Sequence, residues 1–444
     1  MSVRAESTER GGGNTPVGRD PFPHLPETRL NQDRTDTALP VAIIGAGPSG
    51  LAAAAELGRR GVRATILESS AHLAAGWRYQ YDHLRLHTAR ELSNLPGMPI
   101  PRSYGRWVAR DDMVRYLEEY AHRNALDIRV NSPVEQLRRT GPGWQLDIPE
   151  GPLAASAVVI ATGLNRTPHL PDWPGTETFP GSLVHSARYQ NPTPYGGHSV
   201  LVVGAGNSGA EIAVALARNG AHRVWWSVRT PPNIIPPAAD RWQRMGVLVD
   251  KLPTPAADLL TTTFERLCLP DLSSRGLSRP DEGLYTRARR DELNPVHDRG
   301  LVDEIRRGRV QPVPTVAAID GPRVQLTDRS SIQPDSIIAA TGYTTDLEKL
   351  LGPTPLLSPR GLPTVRGSRT SPQAPDLYFI GFTNHPSGHL RYAGLEARAV
   401  AKTIHRRRKH GGAAAPAERP ATEHAPPRPP ESTSAPPAEE STSR

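Results

Sequence analysis

The chain of 444 residues has one cysteine, Cys268. It can close no internal disulfide, and it excludes a two-cysteine redox centre and a cysteine-rich zinc site. No metal site is expected. Lysine is also scarce, supplying only four of the 53 basic residues. Apolar residues nowhere run to the roughly 18 in succession that a spanning helix needs. The first 20 residues have no apolar leader core, so no secretory signal is expected. These absences point to a cytoplasmic protein with no membrane association.

The chain is long enough for two domains of ordinary size. Its formal charge of +8 is unevenly spread. Both ends are slightly acidic, and the basic excess lies between them. Abundant arginine suits phosphate-bearing ligands, because guanidinium pairs well with phosphate; codon usage in a GC-rich genome is the plainer explanation. A basic protein attracts nucleic acid nonspecifically, and no specific nucleic-acid partner is expected. Residues 1–38 and 410–444 are rich in Gly, Pro, Ala, Ser and acids, without apolar periodicity. Such segments cannot bury enough surface to offset ordering entropy, so both are expected to be disordered tails.

The main signal is a long-range echo. Val41-Ala42-Ile43-Ile44 reads as a strand, followed by Gly45-Ala46-Gly47-Pro48-Ser49-Gly50, a helix from Leu51, a stop at Gly61 and a second strand at 64–67. Val200-Leu201-Val202-Val203 repeats this, followed by Gly204-Ala205-Gly206-Asn207-Ser208-Gly209, a helix through Ala217, Gly220 and a strand at 224–228. Strand, glycine turn, helix, strand is the opening of a dinucleotide-binding fold. The first glycine permits the tight turn, the second lets a pyrophosphate approach, and the third lets helix and strand pack closely. The helix N-terminus then offers unpaired N–H groups to phosphate.

The end of the second strand reads the ribose. In the first copy it is Glu68, whose carboxylate accepts hydrogen bonds from ribose hydroxyls and repels a 2′-phosphate. At the same offset the second copy has Ser227, with Arg229 two residues on, a cation suited to the 2′-phosphate of NADPH. The pair therefore reads as one FAD site and one NADPH site, or more plainly as two solvated strand-end charges.

Two further strands end alike, at Ile160-Ala161-Thr162-Gly163 and at Ala339-Ala340-Thr341-Gly342, and each marks a crossing between domains. A third strand ends at Gly381 before a helix from about Arg391, an arrangement that aims helix-end N–H groups at a flavin ring. The expected fold class is α/β, with two Rossmann-like dinucleotide-binding domains and the NADPH domain inserted into a split FAD domain. The expected boundaries are 39–165 and 325–409 for FAD, and 166–324 for NADPH with an insertion. Residues 231–300 read as either a substrate cover or a helical surface decoration.

Phe179-Pro180-Gly181-Ser182-Leu183-Val184-His185-Ser186-Ala187-Arg188-Tyr189 fits F-x-G-x-x-x-H-x-x-x-(F/Y), just before the second glycine turn. This resembles the identifying motif of class B flavin-containing monooxygenases; the related Baeyer–Villiger enzymes have Trp where this chain has Tyr189. Gly76-Trp77 resembles the family's flavin-contacting region. Tyr81-Asp82-His83-Leu84-Arg85-Leu86-His87 and Leu95-Pro96-Gly97-Met98-Pro99-Ile100-Pro101 resemble plant indole-pyruvate monooxygenases and their bacterial relatives. Many members carry an Asn-Ser/Thr/Gly pair beside the flavin; here that place falls at His87-Thr88, and Asn94, seven residues later, is not expected to substitute.

The resemblance implies an NADPH- and FAD-dependent monooxygenase that inserts one oxygen atom of O2 into a small molecule through a peroxide adduct at flavin carbon 4a. N- or S-oxygenation leads; oxidative decarboxylation of a 2-oxo acid, Baeyer–Villiger oxygenation and a non-catalytic scaffold are the alternatives. The chemistry belongs to the cofactors, so no protein nucleophile is required. His87 is the candidate catalytic residue, with Gly76, Trp77, Thr88 and Gly381 at the flavin, while His185 reads as structural or gating. Trp225 and Trp226 read as core and surface. A homodimer is compatible with the sequence.

Overall fold

The computed structural model describes residues 39–236, 243–291, 294–385 and 388–410. The expected tails lie outside the described residues, apart from His410. The apolar runs form two five-stranded sheets. The first holds, in spatial order, Leu377–Phe379, Ala157–Ile160, Val41–Ile44, Ala64–Leu67 and Asp127–Arg129. All its pairings are parallel. The second holds Val310–Val313, Arg223–Ser227, Ser199–Val203, Ser336–Ala339 and Ser182–His185, again all parallel. Parallel strands covered on both faces need side chains that are apolar throughout. Val41–Ile44 and Ala157–Ile160 are buried at every position.

The first sheet is completed from the far end of the chain. The strand Leu377–Phe379 pairs with Ala157–Ile160, and the helix His389–Lys409 follows. That helix buries Leu390, Ala393, Ala397, Val400, Ala401 and Ile404. The spacing of three and four residues places them on one face, and Leu390, Ala397, Val400, Ala401 and Ile404 join the core under the first sheet. The second sheet is inserted between the two parts of the first. Both belong to one compact unit that ends at His405.

The two crossings run side by side. Thr167–Pro168, leaving the first sheet, pairs antiparallel with Tyr343–Thr344, returning to it. The expected boundary between 324 and 325 is corrected by this arrangement. Ser336–Ala339 pairs with Val200–Val203 on one side and Ser182–His185 on the other, so the second sheet extends to about Ala340. The apolar run at 336–339 fills the gap between two strands, a role that only sheet pairing reveals. Trp225 and Trp226 are both buried, so the expected surface position for one of them is not found. Trp226 donates from its indole Nε1 to the Gly204 carbonyl at 2.9 Å and braces the second glycine turn.

Candidate active site

Both glycine turns adopt the same backbone. Gly45 and Gly204 have φ of +105° and +126°, which side-chain-bearing residues rarely adopt. A Cβ on Gly50 would lie 2.0 Å from the Gly45 carbonyl oxygen, and one on Gly209 would lie 2.0 Å from that of Gly204. A Cβ on Gly47 or Gly206 would meet no protein atom within 4 Å. The open middle position and the N-terminus of the following helix, Pro48–Gly58 or Asn207–Arg218, make a cradle for a phosphate.

Glu68 ends the second strand of the first copy and curls back over the turn. Its Oε2 accepts from the Ala46 N–H at 2.8 Å and its Oε1 from the Ser70 N–H at 2.9 Å. It lines a cleft of about 790 Å³ with Gly45, Gly47, Pro48 and Ser49. Gly76, Trp77, His87 and Thr88 line the same cleft, as do Asn207 and Ser208 of the second copy. The structure thus brings most of the expected residues of the first copy to one cavity, but only Asn207 and Ser208 of the second; Gly50, Gly204, Gly206 and Gly209 are not part of its lining.

Several residues behave differently from expectation. Arg229 is exposed and is not part of the cleft lining. Arg166 does line the cleft; it is exposed and has no hydrogen bond or ion pair among the described residues. The Gly381 N–H donates to Glu396 Oε2 at 2.9 Å and is engaged within the protein. Gly381 packs on Ser49, with no room for a Cβ. The cleft is reached a few residues later, by Asn384, His385, Gly388 and the start of the helix at His389. The Asn207 side chain holds the segment opposite: its Nδ2 donates to the Pro295 carbonyl at 2.9 Å and its Oδ1 accepts from the His297 N–H at 2.8 Å. Asn94 bonds to the Ile100 N–H and the Glu91 carbonyl and does not line the cleft.

His185 fits its structural reading. Its Nδ1 accepts from the Ala187 N–H, so its Nε2 carries the proton and donates to the Gly342 carbonyl at 3.0 Å. The linker motif thereby clasps the returning crossing. The 231–300 insertion forms the helices Gln243–Val249, Thr254–Cys268 and Leu284–Asp291, and its last residues enter the cleft through Asn294, Pro295 and His297.

Three site residues were not singled out in the sequence, Glu211, His297 and Arg299, and a fourth, Thr162, was read there only as part of a crossing between domains. Thr162 borders the cleft with a buried Oγ1 that has no hydrogen-bond partner among the described residues. A buried hydroxyl without a partner is costly, and a polar ligand atom in the cleft would satisfy it. Glu211 accepts from the Tyr81 hydroxyl at 2.5 Å and meets His87 Nε2 at 2.8 Å. Burial pushes the Glu211 carboxyl up, but His87, Tyr81 and Arg299 more than offset this and hold it below the usual range. His297 stacks on His87 with centroids 5.2 Å apart. Burial, with His87 and Arg299 acting the same way, pushes its imidazole down to about 3, so it is neutral at ordinary pH.

Two parallel sheets, each with a glycine turn, and a cleft lined by the first turn and by the start of the helix after the second, have the architecture of a two-dinucleotide-binding protein. A model of the pyridine nucleotide-disulphide oxidoreductase family matches residues 42–234, although the chain has no cysteine pair for disulfide chemistry. The chain is 35% identical to indole-3-pyruvate monooxygenase YUCCA1 of Oryza sativa subsp. japonica, over 84% of this chain and 93% of that protein. It is 32% identical to a probable indole-3-pyruvate monooxygenase, YUCCA3, of Arabidopsis thaliana, over 83% and 86%. A flavin-containing monooxygenase from Stenotrophomonas maltophilia superposes with a TM-score of 0.64 at 25% identity, over 83% of this chain and 98% of that one. The chain belongs to the flavin-containing monooxygenase family, on the branch of the YUCCA indole-3-pyruvate monooxygenases. It is a flavin-dependent monooxygenase, with FAD and NADPH as cofactors and O2 and a small molecule as substrates. No helix among the described residues is long and apolar enough to cross a membrane.

Proposed function

We propose that this monooxygenase acts on an aromatic 2-oxo acid of the indole-3-pyruvate type and oxygenates its carbonyl carbon with loss of carbon dioxide. In balance, the 2-oxo acid, O2, NADPH and a proton give the carboxylic acid shorter by one carbon, CO2, water and NADP⁺. The observation that carries this reading is the 35% identity to an indole-3-pyruvate monooxygenase across 93% of its length. It weighs against the N- or S-oxygenation that the wider family would suggest.

FAD is placed on the first cradle, over Gly45, Gly47, Pro48, Ser49 and Gly50, with Glu68 on its ribose and Gly76, Trp77 and Thr88 toward its ring. NADPH is placed on the second, over Gly204, Gly206, Asn207, Ser208 and Gly209, with Arg229 on its 2′-phosphate. The open Gly47 and the unpartnered Thr162 hydroxyl support a cofactor in this cleft. The bound flavin, once reduced, supplies the activation of O2. The chain's part is to orient, to exclude water and to handle the proton, and His87, held by Glu211, is the group assigned to the last task.

The test uses the FAD-loaded enzyme with NADPH and O2. Indole-3-pyruvate is offered first, then an amine and a sulfide, while NADPH, CO2, hydrogen peroxide and products are measured. The expected outcome is CO2 and the shortened acid in step with NADPH. Product from the amine or sulfide alone would return the reading to N- or S-oxygenation. Hydrogen peroxide equal to NADPH, with no product from any of the three, would overturn it.

A further inference from the structure

The two copies differ at the second residue after the third glycine. In the first copy this is Ala52, fully buried in the core. In the second it is Glu211, about as deeply buried, with 7% exposed. A buried carboxylate costs several kcal/mol unless well-placed partners compensate it. Two of its partners, Tyr81 and His87, come from the loop of the other sheet's domain rather than from its own helix. The third, Arg299, lies 3.7 Å away at Nε and also donates to the Leu86 carbonyl, next to His87. The charge therefore does little for its own helix and much for the His87 loop.

The positions of the two side chains relative to the cleft define their roles. His87 lines the main cleft and Glu211 does not. Glu211 lines a separate cavity of about 410 Å³ behind it, with Asp82, His83, Arg85, Arg218 and Arg299. The imidazole thus stands between the carboxylate and the cleft, with the neutral His297 ring stacked on it, 15° from parallel.

We propose that Glu211 is a positioning residue for His87: reaching from the second domain to the first, it keeps the proton on Nε2 and presents the ring to the cleft in one orientation. An ionised carboxylate only accepts hydrogen bonds, so the 2.8 Å contact requires the proton on Nε2. When His87 takes up a proton in turnover, the imidazolium lies beside this carboxylate, and the ring is neutral again once it gives that proton to the departing oxygen that becomes water. Glu211 gains and loses none, as its depressed titration favours. The inference rests on the assignment of proton handling to His87 above.

The test measures the ring and the kinetics separately on the full FAD-loaded chain. Nitrogen-15 spectra of the histidines, with His87 assigned from the His87→Gln difference, report which ring nitrogen is protonated. The wild type is expected to show Nε2–H alone; a proton on Nδ1 alone would overturn the proposal without any need for a Glu211 variant to fold. In Glu211→Gln the two tautomers are expected to mix. Its kcat is expected to fall about a hundredfold, the lower end of what a positioned acid–base group contributes, with the KM for NADPH held within about twofold. In a His87→Gln background the same change is expected to cost less than about twofold, because the interaction it serves is already gone. Full multiplication of the two losses, or an unchanged tautomer in Glu211→Gln, would reduce Glu211 to a structural tie. If His87→Gln keeps full activity while Glu211→Gln still mixes the tautomers, the orientation by Glu211 stands and the role given to His87 falls.

Discussion

The two glycine turns are one backbone put to two uses. Both have the positive-φ first glycine, the open second and the crowded third. The first copy keeps its carboxylate at the strand end, where Glu68 folds back onto the turn. The second has Ser227 there, whose hydroxyl bonds to the Pro314 carbonyl, and carries its buried carboxylate inside the helix at Glu211. Backbone geometry explains how each turn can cradle a phosphate. The side chains decide what the rest of each site does: the first copy serves its own turn, and the second reaches across to hold the first domain's histidine.

The sharpest break of this comparison is at the open glycines. Gly47 and Gly206 have φ of −81° and −88° with extended ψ, so a side chain there is unstrained and meets no protein atom. Gly47→Val is expected to fold and purify colourless, whereas Gly206→Val stays yellow and binds NADPH at least about tenfold more weakly, about 1.4 kcal/mol. Absorbance at purification and NADPH titration of flavin reduction check this. The opposite pattern would exchange the two assignments.

A smaller effect is expected at the second ribose. Loss of one charge-assisted bond of about 1.5–3 kcal/mol makes Arg229→Ala weaken NADPH by about ten- to a hundredfold and leaves NADH nearly unchanged. Arg166→Ala is the competing arm, because Arg166 borders the cleft and Arg229 does not. If Arg166→Ala alone erases the preference for NADPH, the 2′-phosphate belongs to Arg166.

The gentlest test is pH. The His297 imidazole is pushed from 6.5 down to about 3 in the fold, so between those values the unfolded chain binds more protons. Its contribution to stability is fully present above about pH 6.5 and declines as pH falls toward 3. Thermal melts across that range should show a flatter acid limb in His297→Phe than in the wild type. Parallel limbs would mean that the stacked ring is not held neutral by its surroundings.

Much of the architecture was legible because local signals agreed. Apolar tetrads, glycine spacing and helix formers coincide at 41–58 and 200–218, and the strands and helices fall within a few residues of where those signals put them. The misplaced boundary near 324 shows the limit. An apolar strand such as Ser336–Ala339 carries no mark of which sheet it will join. The partner of the Gly381 N–H was illegible for a similar reason, since the carboxylate that accepts it lies fifteen residues away. Glu211 had a faint signal, an acid where the first copy has Ala52, visible only when the two copies are laid side by side.

What the sequence determined by itself was the pair of dinucleotide cradles, because a turn that needs positive φ, an open middle and a close helix is written in six consecutive residues. What only the tertiary structure decided was the cleft's chemistry. His87, Glu211 and His297 are separated by 124 and 86 positions along the chain and have no local pattern in common. Their hydrogen bond and ring stack exist because two sheets, closed by a strand from the far end of the chain, bring a loop, a helix and the end of an insertion to one point.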